Sequence, residues 1–382
     1  MHASRLLFGP IVVAALMSCG GNDSGSVEPT RTSDGATSTP PTETTATTDG
    51  VEPPDAGSPT SSFAVVPAPS LDDNLVGDPA ELEVALWLPP SYETSALRYP
   101  VVYYLAGFGE SASTAGIGSV LERLIEQNLA PEMILVGVDG INSLGGSFYV
   151  DSPVTGMWAQ AIHRDLVAYI DANYRTLPHA DARGIAGFSM GGFGALDLAM
   201  RHPDVFGSVY ALSPGLLAPG GLETTQMFAD DAVVAEFLTL QGSNASEITT
   251  GSADLRFSVA YGSAFAPDPD AGFPHVAYPF TEVGSARDEA IWARWEAGYG
   301  GVASEVAEFE ANLRSLRGIA LDYGTNDQYE WIPEGVAHLA EQLEEHGILA
   351  RVSAHEGGHG AIGPRAEAVM FPFFAEVLDL ES

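Results

Sequence analysis

Lysine is absent from this chain. All 15 basic residues are arginine, set against 51 acidic ones, and the formal net charge is −36. A surface field of that sign repels nucleic acid and anionic head groups, so neither is an expected partner. Cysteine is nearly absent as well. A lone Cys19 excludes an intramolecular disulfide, and the fold must rest on its core. A metal-ligand pattern is lacking too. Asp268 and Asp270 in "PDPD" read as a surface turn, nothing suggests a nucleotide, and no cofactor or metal is expected. What the chain does have is 382 residues, 45% of them hydrophobic, enough for a large core.

The lone cysteine is placed where it matters. Arg5 precedes the apolar run Leu6 to Ser18, "LLFGPIVVAALMS". That run falls short of the roughly 20 residues that span a membrane. A charged start, a short apolar stretch and small residues at its end have the form of an export signal. "LMSC", Leu16 to Cys19, resembles the bacterial lipoprotein box. The resemblance implies cleavage before Cys19, lipid on its sulfur and an exported, membrane-anchored product. An ordinary secretory signal with an incidental cysteine is the plainer alternative. Residues 20–62 are Ser-, Thr- and Pro-rich with almost nothing to bury, so a disordered linker is expected there. Such a tether would span on the order of 35 Å.

Residues 63–382 alternate short apolar runs with amphipathic stretches. "LEVALWLP" alternates as a strand. "VVYYLAG", "MILVGVDG", "GIAGFS", "SVYALS", "GIALDYG" and "ILARVSAH" read as strands buried on both faces. Between them, Trp158, Ile162, Leu166 and Ile170 mark one helix, and Val336, Leu339 and Leu343 another with Gly347 as its cap. Pro372 interrupts a final apolar stripe and is expected to shorten or kink that helix. The rhythm predicts an α/β fold with a mainly parallel sheet. Residues 214–313 break it and are expected to form a cap or pocket insert. Phe265, Phe273, Tyr278, Phe280, Trp292 and Trp295 are its candidate pocket-lining side chains.

"GFSMGGFG", Gly187 to Gly194, follows one strand and opens a helix. In that context G-x-S-x-G is a sharp turn that exposes the Ser189 hydroxyl at the carboxyl edge of the sheet. A hydroxyl needs a base to become a nucleophile, and the base needs a carboxylate to orient it. His359 lies in the Gly-rich loop "EGGHG", whereas His355 ends a strand; loop placement favours His359. By the same reasoning Asp327, in the loop after "LDYG", is favoured over Asp322 within the strand. Two backbone donors are needed for the oxyanion, each worth roughly 3–4 kcal/mol. The candidates are the N–H groups of Met190 and Phe108.

With these residues the chain resembles the Putative esterase family of α/β-hydrolases. That family includes S-formylglutathione hydrolases, feruloyl and acetylxylan esterases, siderophore esterases and mycolyltransferases. The resemblance is carried by "LWLPPSYETSALRYPVVYYLAGFGES", "GGSFYVDSPVTGMW", the block around "GFSMGGFGAL", "DYGTNDQY" and "EGGHG". It implies an α/β-hydrolase fold, Ser189 as nucleophile, Asp327 as acid, His359 as base, and oxyanion donors at Phe108 and Met190. Many members carry His-Gly where this chain has Ala106-Gly107, a change that a backbone donor survives. The expected activity is a serine carboxylesterase acting on a small or polymer-linked ester. An acyltransferase using the same acyl-enzyme, or a non-catalytic binding protein on the same scaffold, are the alternatives.

Overall fold

Runs rich in Val, Ile, Tyr and Leu become strands wherever helices can cover both faces. The computed structural model describes residues 61–111, 116–240 and 251–380, all within one unit, Asp55–Ser382. The proposed signal, Cys19 and nearly all of the linker lie outside the described residues. Eight strands build one sheet: β1 (Ser61–Pro67), β2 (Glu81–Trp87), β3 (Val101–Leu105), β4 (Ile134–Val138), β5 (Arg183–Phe188), β6 (Ser208–Leu212), β7 (Gly318–Gly324) and β8 (Arg351–His355). Their spatial order is β1-β2-β4-β3-β5-β6-β7-β8. β1 and β2 run antiparallel to their neighbours, and every pairing from β4 to β8 is parallel.

Alternation within the strands feeds two cores. Val101, Tyr103 and Leu105 face one side, where the helices α2 (158–173) and α3 (Met190–Arg201) pack. Val102 and Tyr104 face the other, against α1 (Ile117–Glu126) and the carboxyl-terminal segment 362–377. Trp158, Ile162, Leu166 and Ile170 are all buried, although a period of four drifts around an α-helix. A π-helical stretch, Ala161–Leu166, widens the turn and holds the four on one face. A second π-helical stretch, Ala366–Met370, precedes the final α-helical turns Phe371–Val377, and Pro372 sits in the first of those turns.

The strand boundaries differ from expectation at the two edges. Ser61 and Ser62, assigned to the linker, pair with Trp87 and Leu86 and belong to β1. The run "ILARVSAH" is not a strand buried on both faces. Only Arg351–His355 pairs, β8 has a neighbour on one side alone, and its residues are largely exposed. Ile348 is buried, but Leu349 is 93% exposed. Among the described residues, the insert between β6 and β7 adds no strand to the sheet. Its helices are α4 (Asp231–Leu240), α5 (Ala253–Phe265), α6 (Glu289–Ser304) and α7 (Glu310–Ser315), and α8 (Trp331–Glu345) follows β7. Gly347 caps α8 as expected, with φ of 61° and its N–H on the Glu344 carbonyl at 2.8 Å. Among the described residues no helix is long and apolar enough to cross a membrane.

Candidate active site

The register of the parallel strands brings their carboxyl ends to one edge. Leu105 is opposite Gly187, Phe188 opposite Leu212, Leu212 opposite Asp322, and Tyr323 opposite Ala354. The loops that leave β3, β5, β7 and β8 therefore emerge side by side. Ser189 is the residue between β5 and α3 and has φ of 54° with ψ of −114°. That positive φ is costly for a residue with a Cβ and is held by its surroundings. The Ser189 N–H donates to the Leu212 carbonyl, and its own carbonyl accepts from Phe193 and Gly215, all at 3.0 Å. The glycines make room. A Cβ on Gly187 would lie 2.2 Å from the Gly191 carbonyl oxygen, and one on Gly191 would lie 2.1 Å from that of Leu105.

Three side chains named from the sequence come together. His359 Nε2 lies 2.9 Å from Ser189 Oγ, and His359 Nδ1 lies 2.8 Å from Asp327 Oδ2. The Asp327 side chain is completely buried, and its other oxygen accepts the Tyr329 N–H at 2.9 Å. With Asp327 on Nδ1, the histidine carries its proton there and presents a lone pair to the serine, once the carboxylate is ionised. The Phe188 ring sits 4.7 Å from the imidazole and the Tyr329 ring packs edge-on at 5.0 Å.

The loops that carry Asp327 and His359 are tied to each other. Thr325 N–H donates to His355 O and Asn326 N–H to Gly357 O, each at 2.9 Å. Gly324 permits this approach, since a Cβ there would lie 2.4 Å from Gly357 O. His355 ends β8 and makes no hydrogen bond to Ser189 or Asp327; burial and then Arg365 hold its imidazole below the usual range. Asp322 is likewise not on the histidine. It is buried, accepts the Tyr210 hydroxyl at 3.1 Å and forms an ion pair with Arg365 at 3.0 Å. Burial pushes its carboxyl up, against the opposing pull of Arg365.

Arg365 was not foreseen. Its Nη1 donates to the carbonyls of His359 (3.0 Å) and Gly360 (3.1 Å) and to Ser213 Oγ (3.1 Å). Met190 opens α3, where first-turn N–H groups have no helical partner. The Phe108 N–H likewise has no hydrogen-bond partner among the described residues.

A cavity of about 220 Å³ opens over Ser189. From the insert come Gln226, Phe257 and Tyr299; from the loop after β7 and the start of α8 come Gln328, Tyr329 and Trp331. None of the six insert aromatics singled out in the sequence lines it. Tyr278, Trp292 and Trp295 are instead buried with Phe228 and Phe237, with Phe237 stacked on Tyr278 at 3.8 Å. Phe265 packs against Phe193 and Tyr299. Phe273 and Phe280 are half-buried against the same core. Sequence offered no means of separating inward from packing aromatics, because helix rotation decides it for Phe265, Trp292 and Trp295 and the course of the loop between helices for Phe273, Tyr278 and Phe280.

The wider comparisons agree with this architecture. Over 130 residues the chain is 33% identical to Esterase Rv1288 of Mycobacterium tuberculosis, covering 33% of this chain and 27% of that one. The chain thus spans about a quarter of that relative's length. Among solved structures, a ferulic acid esterase is similar at a TM-score of 0.57 and 20% identity, covering 84% of this chain and 100% of the other. An S-formylglutathione hydrolase from Agrobacterium tumefaciens is similar at 0.52 and 17% identity, covering 85% and 97%. At such identities the likeness shows the fold, an α/β-hydrolase sheet flanked by helices. The model of the family described as "Putative esterase" matches residues 79–361, and to that family this chain belongs.

Proposed function

We propose that the chain is a serine carboxylesterase working through an acyl-enzyme on Ser189. The observation that carries this reading is the continuous hydrogen-bonded chain from Ser189 Oγ through His359 to Asp327. His359 Nε2 takes the hydroxyl proton as Oγ attacks the ester carbonyl carbon. The carbonyl oxygen gains the negative charge and is met by the Met190 and Phe108 N–H groups. As the intermediate collapses, the bond to the alcohol oxygen breaks, and His359 returns the proton to that oxygen. Water then attacks the acyl carbon, giving its proton to His359; the acid leaves and Ser189 recovers its hydrogen. Asp327 fixes the tautomer and stabilises the imidazolium throughout.

Hydrolysis of short p-nitrophenyl esters tests this. The wild type turns them over, and Ser189→Ala loses activity by roughly 10⁶-fold with its melting temperature unchanged. Normal turnover by the purified variant would end the assignment. We further propose export and lipid anchoring through Cys19, supported by the "LMSC" sequence and the apolar run before it.

A further inference from the structure

Besides His359, the cavity over Ser189 is lined by one acidic side chain among the described residues. Glu110 is its only carboxylate, and no arginine lines it among the described residues. The rest is mostly aromatic, with Gln226 and Gln328 as neutral polar groups. Glu110 ends the turn after β3, with its N–H on the Gly107 carbonyl at 3.1 Å. Its side chain folds back on that turn: a Cβ on Gly107 would lie 2.9 Å from Glu110 Oε2. Glycine at 107 therefore lets the carboxylate sit beside Phe108, whose N–H is assigned to the oxyanion.

Among the described residues most acidic groups are spread over solvated surface, where water weakens their field. Glu110 is half-buried; burial pushes its carboxyl up, and the Gly107 backbone and His359 pull it back. A partly desolvated charge acts more strongly on a neighbour than a solvated one. The tetrahedral intermediate brings one negative charge into this cavity. An anionic substituent would add another beside Glu110, and the one cation there, the transient His359 imidazolium, is already paired with Asp327.

We propose that Glu110 makes the site selective by charge, rejecting esters with an anionic acyl or alcohol portion and accepting neutral or cationic ones. This rests on the esterase reading above. The net charge of −36 acts in the same direction, but from a distance and under salt screening beyond about 8 Å. Replacing one carboxylate among 51 acidic residues barely changes that field. Glu110→Gln separates the two causes, and it keeps an acceptor for the turn.

The test uses three p-nitrophenyl esters of matched length, each ending in a tetrahedral head: the neutral 5,5-dimethylhexanoate, the anionic 4-sulfobutyrate and the cationic 4-(trimethylammonio)butyrate. The kcat/KM of each is divided by its rate of hydroxide hydrolysis. Wild type, Glu110→Gln and Glu110→Asp are compared near pH 8, where carboxylates are ionised, at about 0.15 M salt. The neutral-to-anionic ratio is expected to fall roughly tenfold in the Gln variant, and the cationic preference to fall with it, while Asp keeps both. Ratios in Glu110→Gln equal to those of the wild type overturn the proposal. If the Gln variant does not fold, equal normalised rates for all three esters in the wild type overturn it. Turnover of none of them, with no fluorophosphonate adduct on Ser189, overturns the esterase reading and the selectivity with it.

Discussion

Two residues hold His359 from opposite sides. Asp327 fixes the ring through Nδ1, and Arg365 fixes the backbone through the carbonyls of His359 and Gly360. Arg365 is anchored by Asp322 of β7 and by Ser213, just after β6, so both reach the His359 loop through one guanidinium. Arg365→Met should lower kcat by about 10²-fold with KM little changed, since a base displaced by about 1 Å loses reach. It should also destabilise by about 3–5 kcal/mol, because Asp322 is left as an unpaired buried charge. Adding Asp322→Asn should restore most of the melting temperature and leave kcat low. Recovery of kcat along with stability would make Arg365 structural only. Asp322 could be set aside from sequence by its position within a strand. Arg365 could not be found there, because its role comes from burial beside a loop, and no local pattern announces that.

At the level of elements, the insert divides into pocket and packing. Phe257 and Tyr299 line the cavity, whereas Trp292 and Trp295 are buried among other rings. Trp292→Ala should cost about 3–5 kcal/mol of stability and leave the ranking of acyl chain lengths unchanged. Phe257→Ala should shift kcat/KM for favoured esters by roughly 1–3 kcal/mol and alter that ranking. Melting temperatures beside a chain-length series check both; a changed ranking in Trp292→Ala would contradict the division. A different contact joins α2 to the end of α3. The rings of His163 and His202 stack at 3.8 Å, with Asp204, Arg201 and Asp151 also acting on His202. Burial, then His163, holds the His202 imidazole below its ordinary range. The unfolded chain therefore takes up protons first, starting near pH 6.5. Stability should be present above that pH and fall as acid drives titration through the depressed folded value. In His202→Asn the melting temperature should fall less between neutral and acid pH, and an unchanged slope would contradict this.

For the whole molecule, the strand-helix rhythm was legible because parallel strands buried on both faces must be continuously apolar. β3 and β4 obeyed that rule throughout, and β5, β6 and β7 depart from it only at the buried Arg183, Ser208 and Asp322. The edges did not: β1 pairs on one side only and alternates exposed with less exposed residues, and β8 carries Arg351 and Ser353 in the open. Ser189 was legible because its turn imposes glycines within a few residues. Asp327 and His359 followed from chain order and loop position. The cavity wall was not, since Glu110, Phe257 and Tyr299 meet only when loop and helices from distant segments close over the sheet edge. The acidic body would be repelled by anionic head groups, so a lipid on Cys19 would be its only strong anchor. Cys19→Ser should move the protein from the membrane fraction to the soluble one, with kcat unchanged. A wild type already wholly soluble after export would remove the anchor.

The central claim is that Ser189 is a nucleophile activated by His359 and Asp327. Intact-mass and peptide analysis after reaction with a fluorophosphonate tests it most directly. The account predicts a single adduct, on the peptide containing Ser189, absent in Ser189→Ala and strongly slowed in His359→Ala. An unlabelled Ser189 in the folded wild type, or undiminished labelling of the Ser189→Ala variant, would contradict it.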